Sequence, residues 1–213
     1  MAQDADPKIK GKTFRATLFN QWGGPDLYVK HKKSLVRIQP AKCSYTRPYR
    51  YRENVINFYK KTLSEEGEET YTVSLRVEVP PSVKEPLVIL AWNNQTKQAV
   101  AKAIDFSPTN FRYGSYQIVN MSNFPIGGFI GKKTNTFICR PKQEYISSFE
   151  FAHQAATPIV IYSKIDGESQ KVFGSITTHR KRKRSIYILY PERNKIDQIV
   201  YQSIVIVDHK KSE

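Results

Sequence analysis

Phe14–Asn20 reads FRATLFN and Tyr116–Asn123 reads YQIVNMSN, and from that match onward the two halves of this chain run in step. LVRIQP (35–40) answers TFICRP (136–141), VINFYKK (55–61) answers IVIYSK (159–164), and PLVILAWN (86–93) answers SIYILYPE (185–192). The spacing stays near a hundred residues and the order is kept. A repeat of that period constrains the fold more than any single motif, because both copies must satisfy one architecture.

The matching segments are short, rich in Val, Ile, Tyr, Phe and Thr, and bounded by Gly, Pro, Asn or charged turns, which is the pattern of β-strands. Strands are predicted over 13–20, 34–40, 54–60, 71–79, 87–92, 115–121, 135–141, 158–164 and 199–207, with a further one implied by the match at 185–192. QWGGPDLYVKHKK (21–33) and FPIGGFIGKK (124–133) read as the loops that follow the first strand of each copy, with Gly23, Gly24, Gly127 and Gly128 supplying positive φ. No apolar stripe of helical period is present, so little helix is expected. The fold class that follows is all-β: two tandem immunoglobulin-like antiparallel β-sandwich units related by a weak internal repeat. The boundary falls in DFSPTNFRYGS (105–115), where Asp105 and Ser107 precede Pro108 as turn formers. The expected division is a polar leader over 1–12, unit 1 over 13–106, unit 2 over 107–208 and a tail over 209–213.

The chain has 213 residues, 39% hydrophobic and 12% aromatic, enough to build a core in each copy. Its formal charge of +15 is shared evenly between the halves. Such a field raises the local concentration of anions and favours encounter with an anionic glycan, nucleic acid or an acidic protein. No stretch approaches the roughly 18 apolar residues of a membrane helix. The opening MAQDADPKIKGK lacks the apolar centre of a signal peptide and reads as the polar leader left after one is removed. That reading places the protein in the periplasm or outside the cell, an ordinary cytoplasmic start being the alternative. Cys43 and Cys139 are the only cysteines; two thiols make no metal framework, and one long-range bridge or two buried thiols both remain open.

Chemistry-bearing motifs are sparse. SEEGEE (64–69) gathers carboxylates around Gly67 without the alternating spacing of a calcium loop, and reads as a solvated hairpin tip. His31, His153, His179 and His209 are scattered, with no HxH, HExxH or CxxC pairing. No GxSxG, Walker or GxGxxG motif occurs. No catalytic residue, metal or cofactor is therefore expected, and the chain reads as non-enzymatic; a hydrolytic site assembled only in the fold is the alternative.

Binding candidates are clearer. Arg180, Lys181, Arg182, Lys183 and Arg184 form an unbroken cationic run against the apolar segment IYILY (186–190), read as the turn of a hairpin and as a contact for a polyanion. YTRPYRYREN (45–54) interleaves aromatics with Arg47, Arg50 and Arg52. Stacking rings beside arginines suit single-stranded nucleic acid or an anionic glycan, although strand alternation turns Tyr45, Arg47, Tyr49 and Tyr51 away from Arg50 and Arg52. Trp22, in a loop, is a candidate aromatic contact with Tyr49 and Tyr51, or a lid on the sandwich.

Three stretches also resemble a group of uncharacterised exported bacterial proteins built from tandem β-sandwich units. They are PDLYVK (25–30), the segment from Ala103 to Pro141 with its Gly-Ser-Tyr strand opening and Asn-containing bend, and RSIYILYP (184–191). The resemblance implies export and the sandwich fold, and it implies no catalytic residues. The function expected is that of a secreted or envelope binding or structural module with a basic surface; direct nucleic-acid binding inside the cell is the alternative.

Overall fold

The computed structural model describes residues 11–19, 22–32, 34–93, 96–147, 149, 155–192 and 195–207. Most of the expected leader, the C-terminal tail, His153 and His209 lie outside them. The chain divides between Ser107 and Pro108 into two compact units. Among the described residues every regular element is a strand.

Unit 1 contains β1 (Thr13–Phe19), β2 (Tyr28–His31), β3 (Ser34–Arg37), β4 (Tyr49–Arg50), β5 (Val55–Leu63), β6 (Glu69–Glu78), β7 (Pro86–Asn93) and β8 (Gln98–Asp105). They form two four-stranded sheets, ordered β4-β1-β7-β8 and β3-β2-β5-β6. Unit 2 repeats the plan with β9 (Tyr116–Asn120), β10 (Ile126–Ile130), β11 (Thr136–Cys139), β12 (Glu144–Ile146), β13 (Ala156–Ile165), β14 (Glu168–Thr178), β15 (Lys183–Glu192) and β16 (Lys195–Val207). Its sheets run β12-β9-β15-β16 and β11-β10-β13-β14, strand for strand the same order. Each unit is an immunoglobulin-like sandwich, antiparallel except for one parallel pair, β1 with β7 and β9 with β15.

The strand register carries the sequence repeat into three dimensions. Ala16 stands opposite Val88, and Ile118 opposite Tyr187, which are the residues that FRATLFN/YQIVNMSN and PLVILAWN/SIYILYPE align. Each copy also carries a bulge at the same place, after Phe58 in β5 and after Ile161 in β13.

Alternation sets the two cores. In unit 1, Phe14, Ala16, Val88 and Leu90 from one sheet pack on Val29, Ile56, Phe58 and Val77 from the other. In unit 2, Ile118, Tyr187, Leu189 and Ile199 face Ile126, Ile130, Ile159 and Ile161. β7 is a nearly unbroken apolar run because both of its faces are buried, the outward Leu87, Ile89 and Ala91 as fully as the inward pair. At the end of unit 1 the buried Asp105 carboxylate accepts the Ser107 amide at 3.0 Å and the Glu85 amide at 3.4 Å, closing an Asx turn.

Three expectations need correction. The two presumed loops each contain a strand, β2 and β10. Gly127 and Gly128 lie inside β10, paired on both sides, and neither they nor Gly23 and Gly24 have positive φ. The run at 180–184 is not the turn of a hairpin: β14 and β15 belong to different sheets, so it carries the chain across the sandwich, with the Lys183 amide donating to the Arg180 carbonyl at 2.9 Å. A hairpin would need β14 beside β15, but β15 is flanked by β9 and β16.

Candidate functional site

The cationic run separates into two kinds of residue. Arg180, Lys181 and Arg182 are exposed, whereas Lys183 is half-buried and Arg184 is buried at 4% exposure. The Arg184 guanidinium lies 4.6 Å from the Tyr113 ring centre and 5.3 Å from that of Phe111, and donates to the Phe111 carbonyl at 3.1 Å. Lys183 donates to the Thr177 hydroxyl at 2.8 Å, and burial followed by the Arg180 charge lowers its ammonium pKa. The last two cations of the run thus hold the turn in place. Arg184→Ala is expected to cost about 2 kcal/mol through the lost stacking and charged hydrogen bond. Replacing Arg180, Lys181 and Arg182 together with Ser should move the urea midpoint by no more than about 0.5 kcal/mol equivalent.

Trp22 is a lid. Its indole N–H donates to the Pro25 carbonyl at 2.9 Å, its ring centre lies 5.5 Å from that of Trp92, and it packs on the unit 1 core. Gly24 sits between the two rings, where a Cβ would meet Trp92 at 2.5 Å. Tyr49 is buried, at 5.9 Å from Phe14, and Tyr51 packs half-buried on the same core, where burial raises its pKa. Arg47, Arg50 and Arg52 stay exposed, with Arg47 stacked 5.5 Å from the Tyr49 ring centre. Cys43 is exposed, Cys139 is buried, and both are free thiols. SEEGEE forms the β5–β6 turn, with the Gly67 amide donating to the Ser64 carbonyl and Glu69 paired with Lys61.

What brings chemistry together is a split in unit 1. β10 and β13 pair from Ile126 opposite Ser163 to Ile130 opposite Ile159. Their counterparts β2 and β5 pair only at Tyr28 opposite Tyr59 and then diverge. Between them opens a cleft of about 330 Å³ that reaches the core side chains Phe14, Val29 and Ile56. Lys30, Lys32, Arg50, Arg52 and Arg76 line it, with Tyr51, Tyr59 and Asn57, and among the described residues Glu53 is the single lining carboxylate. None of the five cationic side chains has an ion-pair or hydrogen-bond partner among the described residues.

Three of the left-handed residues lie on or beside this rim, and at Lys32 the fold repeats the turn, its counterpart Gly131 standing at φ 76°. Lys32, Glu53 and Asn54 all hold left-handed φ, at 58°, 55° and 57°. The Val55 amide closes the second turn on the Arg52 carbonyl at 3.1 Å, which fixes where Arg52 and Glu53 project. Such conformations cost of order 1 kcal/mol or more each and persist where the surroundings enforce them. His31 adds a buried, unpartnered Nδ1, its ring set edge-on to Tyr49 at 6.4 Å. Burial first, then the charges of Lys32, Arg47 and Arg50, hold the His31 imidazole below its usual pKa.

The second unit supplies an internal control, because the shared register shows what the fold itself requires. Position 30 corresponds to Phe129, 31 to the core residue Ile130, and 76 to Gly174. At these three positions unit 2 carries neither a cation nor a histidine, although the Lys171 side chain reaches Gly174, and β10 stays paired with β13. Arg50 and Arg52 were legible in the sequence; Lys30, Lys32 and Arg76 were not, and setting KHK (30–32) against FIG (129–131) would have exposed two of them.

Unit 2 has a more open depression of about 780 Å³ near its first turn, lined by Arg112, Tyr113, Ser147, His179 and Lys181 among others. His179 is buried there with Nδ1 at 3.4 Å from the Tyr116 hydroxyl, and the Ser147 hydroxyl accepts the Tyr116 amide at 2.9 Å. Both polar side chains are thus tied to the strand they pack on. Among the described residues no helix is long and apolar enough to cross a membrane. No protein-family profile matches the chain, and a search of curated proteins returns no match.

Proposed function

We propose that this protein is a non-enzymatic binding module, secreted or held in the cell envelope, that takes an anionic ligand in the unit 1 cleft. The observation that carries the reading is the β2–β5 split lined by five cations whose side chains have no partner among the described residues, set against the continuously paired β10 and β13 in the same fold. Unpaired like charges that converge repel one another, so their arrangement is a standing cost that an anion relieves. The fold does not need that cost, since unit 2 builds the same sheet without it. The resemblance to exported tandem-sandwich proteins supports the placement outside the cytoplasm.

The test is binding of the full chain to heparin and to a single-stranded oligonucleotide across a range of salt. Affinity should fall as salt rises, because counterions are released on binding. Arg50→Glu with Arg76→Glu should reduce it at least a hundredfold, a loss of roughly 2.7 kcal/mol, with the circular dichroism spectrum unchanged. Undiminished binding by that double variant would remove the cleft from the function. A preference for the oligonucleotide would favour the nucleic-acid reading over the glycan one.

A further inference from the structure

The cleft also limits what kind of anion it can hold, an inference that rests on the anion-binding reading above. We infer that the β2–β5 split is a site for a compact, multiply charged oxyanion, such as a phosphorylated or sulfated sugar unit, and not for a length of linear polyanion.

Three features of unit 1 converge on this. Charge comes first: among the described residues five cations and one carboxylate line the cleft. A single carboxylate would leave most of that positive charge uncompensated, whereas a ligand with two or more phosphate or sulfate groups would balance it. Arg50, Arg52 and Arg76 suit such groups because the guanidinium fork meets two oxygens of one group at once.

Size comes second. About 330 Å³ is at the lower end of the range for small-molecule sites. The divergence of β2 from β5 makes it a pit running inward to Phe14, Val29 and Ile56, with Tyr51 and Tyr59 as ring surfaces for an organic body. A pit encloses a terminal group or a single unit; it offers a polymer only one contact.

Surroundings come third. Arg76 stands opposite Asn57 near one end of the β5–β6 hairpin, and the other end is the turn carrying exposed Glu65, Glu66 and Glu68. From Asn57 to Glu65 an extended strand covers about 26 Å at ~3.3 Å per residue. A linear polyanion laid along this hairpin would run from the cleft onto those carboxylates. The hairpin is therefore attractive at one end and repulsive at the other, which favours a ligand confined to the cleft.

Isothermal titration of the full chain with inorganic pyrophosphate, glucose 1,6-bisphosphate, inorganic phosphate and a 20-nucleotide single strand tests this. Pyrophosphate and the bisphosphate should bind one per chain, at least tenfold more tightly than phosphate, and each should compete with the other. Arg50→Ser with Arg76→Ser should weaken both at least tenfold. Replacing Arg180, Lys181 and Arg182 with Ser should leave both affinities unchanged. If heparin or the oligonucleotide binds in a manner that Arg50 and Arg76 control, and pyrophosphate neither binds nor competes, the compact-ligand inference fails while anion binding at the cleft stands. If no anion responds to Arg50 and Arg76, both readings fail. Loss of pyrophosphate binding in the variant of the unit 2 turn would also overturn the inference.

Discussion

Gly128→Ala is expected to destabilise unit 2 by about 3 kcal/mol or more, the upper range for forcing atoms into a filled interior. A Cβ at this position would stand 2.0 Å from the Val160 carbonyl oxygen, 3.0 Å from its carbonyl carbon and 3.2 Å from the Ile161 Cα. All three are backbone atoms of β13, which is bonded to β10 on one side and β14 on the other and cannot withdraw without breaking a ladder. Neighbouring Gly127 is the control, since a Cβ there meets only the Phe137 carbonyl oxygen at 3.4 Å. Thermal melts followed by circular dichroism should show Gly128→Ala lowered by on the order of 10 °C or more, with Gly127→Ala much closer to the parent. Equal melting of the two variants would show that β10 and β13 do not approach this closely in solution.

Asn120→Leu should be nearly as damaging, at about 3 kcal/mol. The Asn120 side chain is fully buried at the end of β9 and ties together the bend that follows it. Its Oδ1 accepts the Ser122 amide at 3.0 Å and the Ser122 hydroxyl at 2.7 Å. Its Nδ2 donates toward the carbonyls of Phe124, Cys139 and Arg140, at 2.8, 3.1 and 3.1 Å. Leucine removes every one of these bonds and leaves buried groups unpaired, each costing about 1–3 kcal/mol before the bend relaxes. The matching position in unit 1 is Leu18, half-buried against an apolar core, so the leucine is compatible with the strand itself. A urea midpoint close to the parent value would show that the cost lies elsewhere than in the bend.

The strands that sequence reading found and missed differ in what specifies them. Residues 13–20, 87–92 and 158–164 announce themselves because buried residues recur in a short apolar segment. β14 (ESQKVFGSITT) is an edge strand with mostly exposed side chains, and nothing in its composition demands a sheet; it exists because β13 offers it a ladder. β8 (QAVAKAID) is similar, an alanine-rich edge held by pairing along the whole of β7. β2 and β10 hid behind Gly, Pro and Lys, which read as loop chemistry. In β10 the glycine at 128 serves close backbone approach, a need that only the neighbouring strand creates.

Candidate binding residues divide along the same line. Arg50 and Arg52 were visible because they sit beside tyrosines in one short stretch, and the structure does place them together. Arg184 was indistinguishable from Arg180 in a run of five cations, yet one is stacked on Tyr113 and Phe111 and the other is in solvent. Charge is a property of the residue, whereas its availability depends on which rings and carbonyls the fold brings within reach.

By itself the sequence determined an all-β chain, a duplicated unit of about a hundred residues, the register between the copies and a strongly basic balance. Those properties are written in local alternation and in self-similarity, both of which are one-dimensional. Only the tertiary structure decided that β2 parts from β5 where β10 stays with β13, that five cations from three separate stretches line the gap with no side-chain partner among the described residues, and that Arg184 is interior. Strand separation and charge pairing depend on which distant residues meet across the sheet.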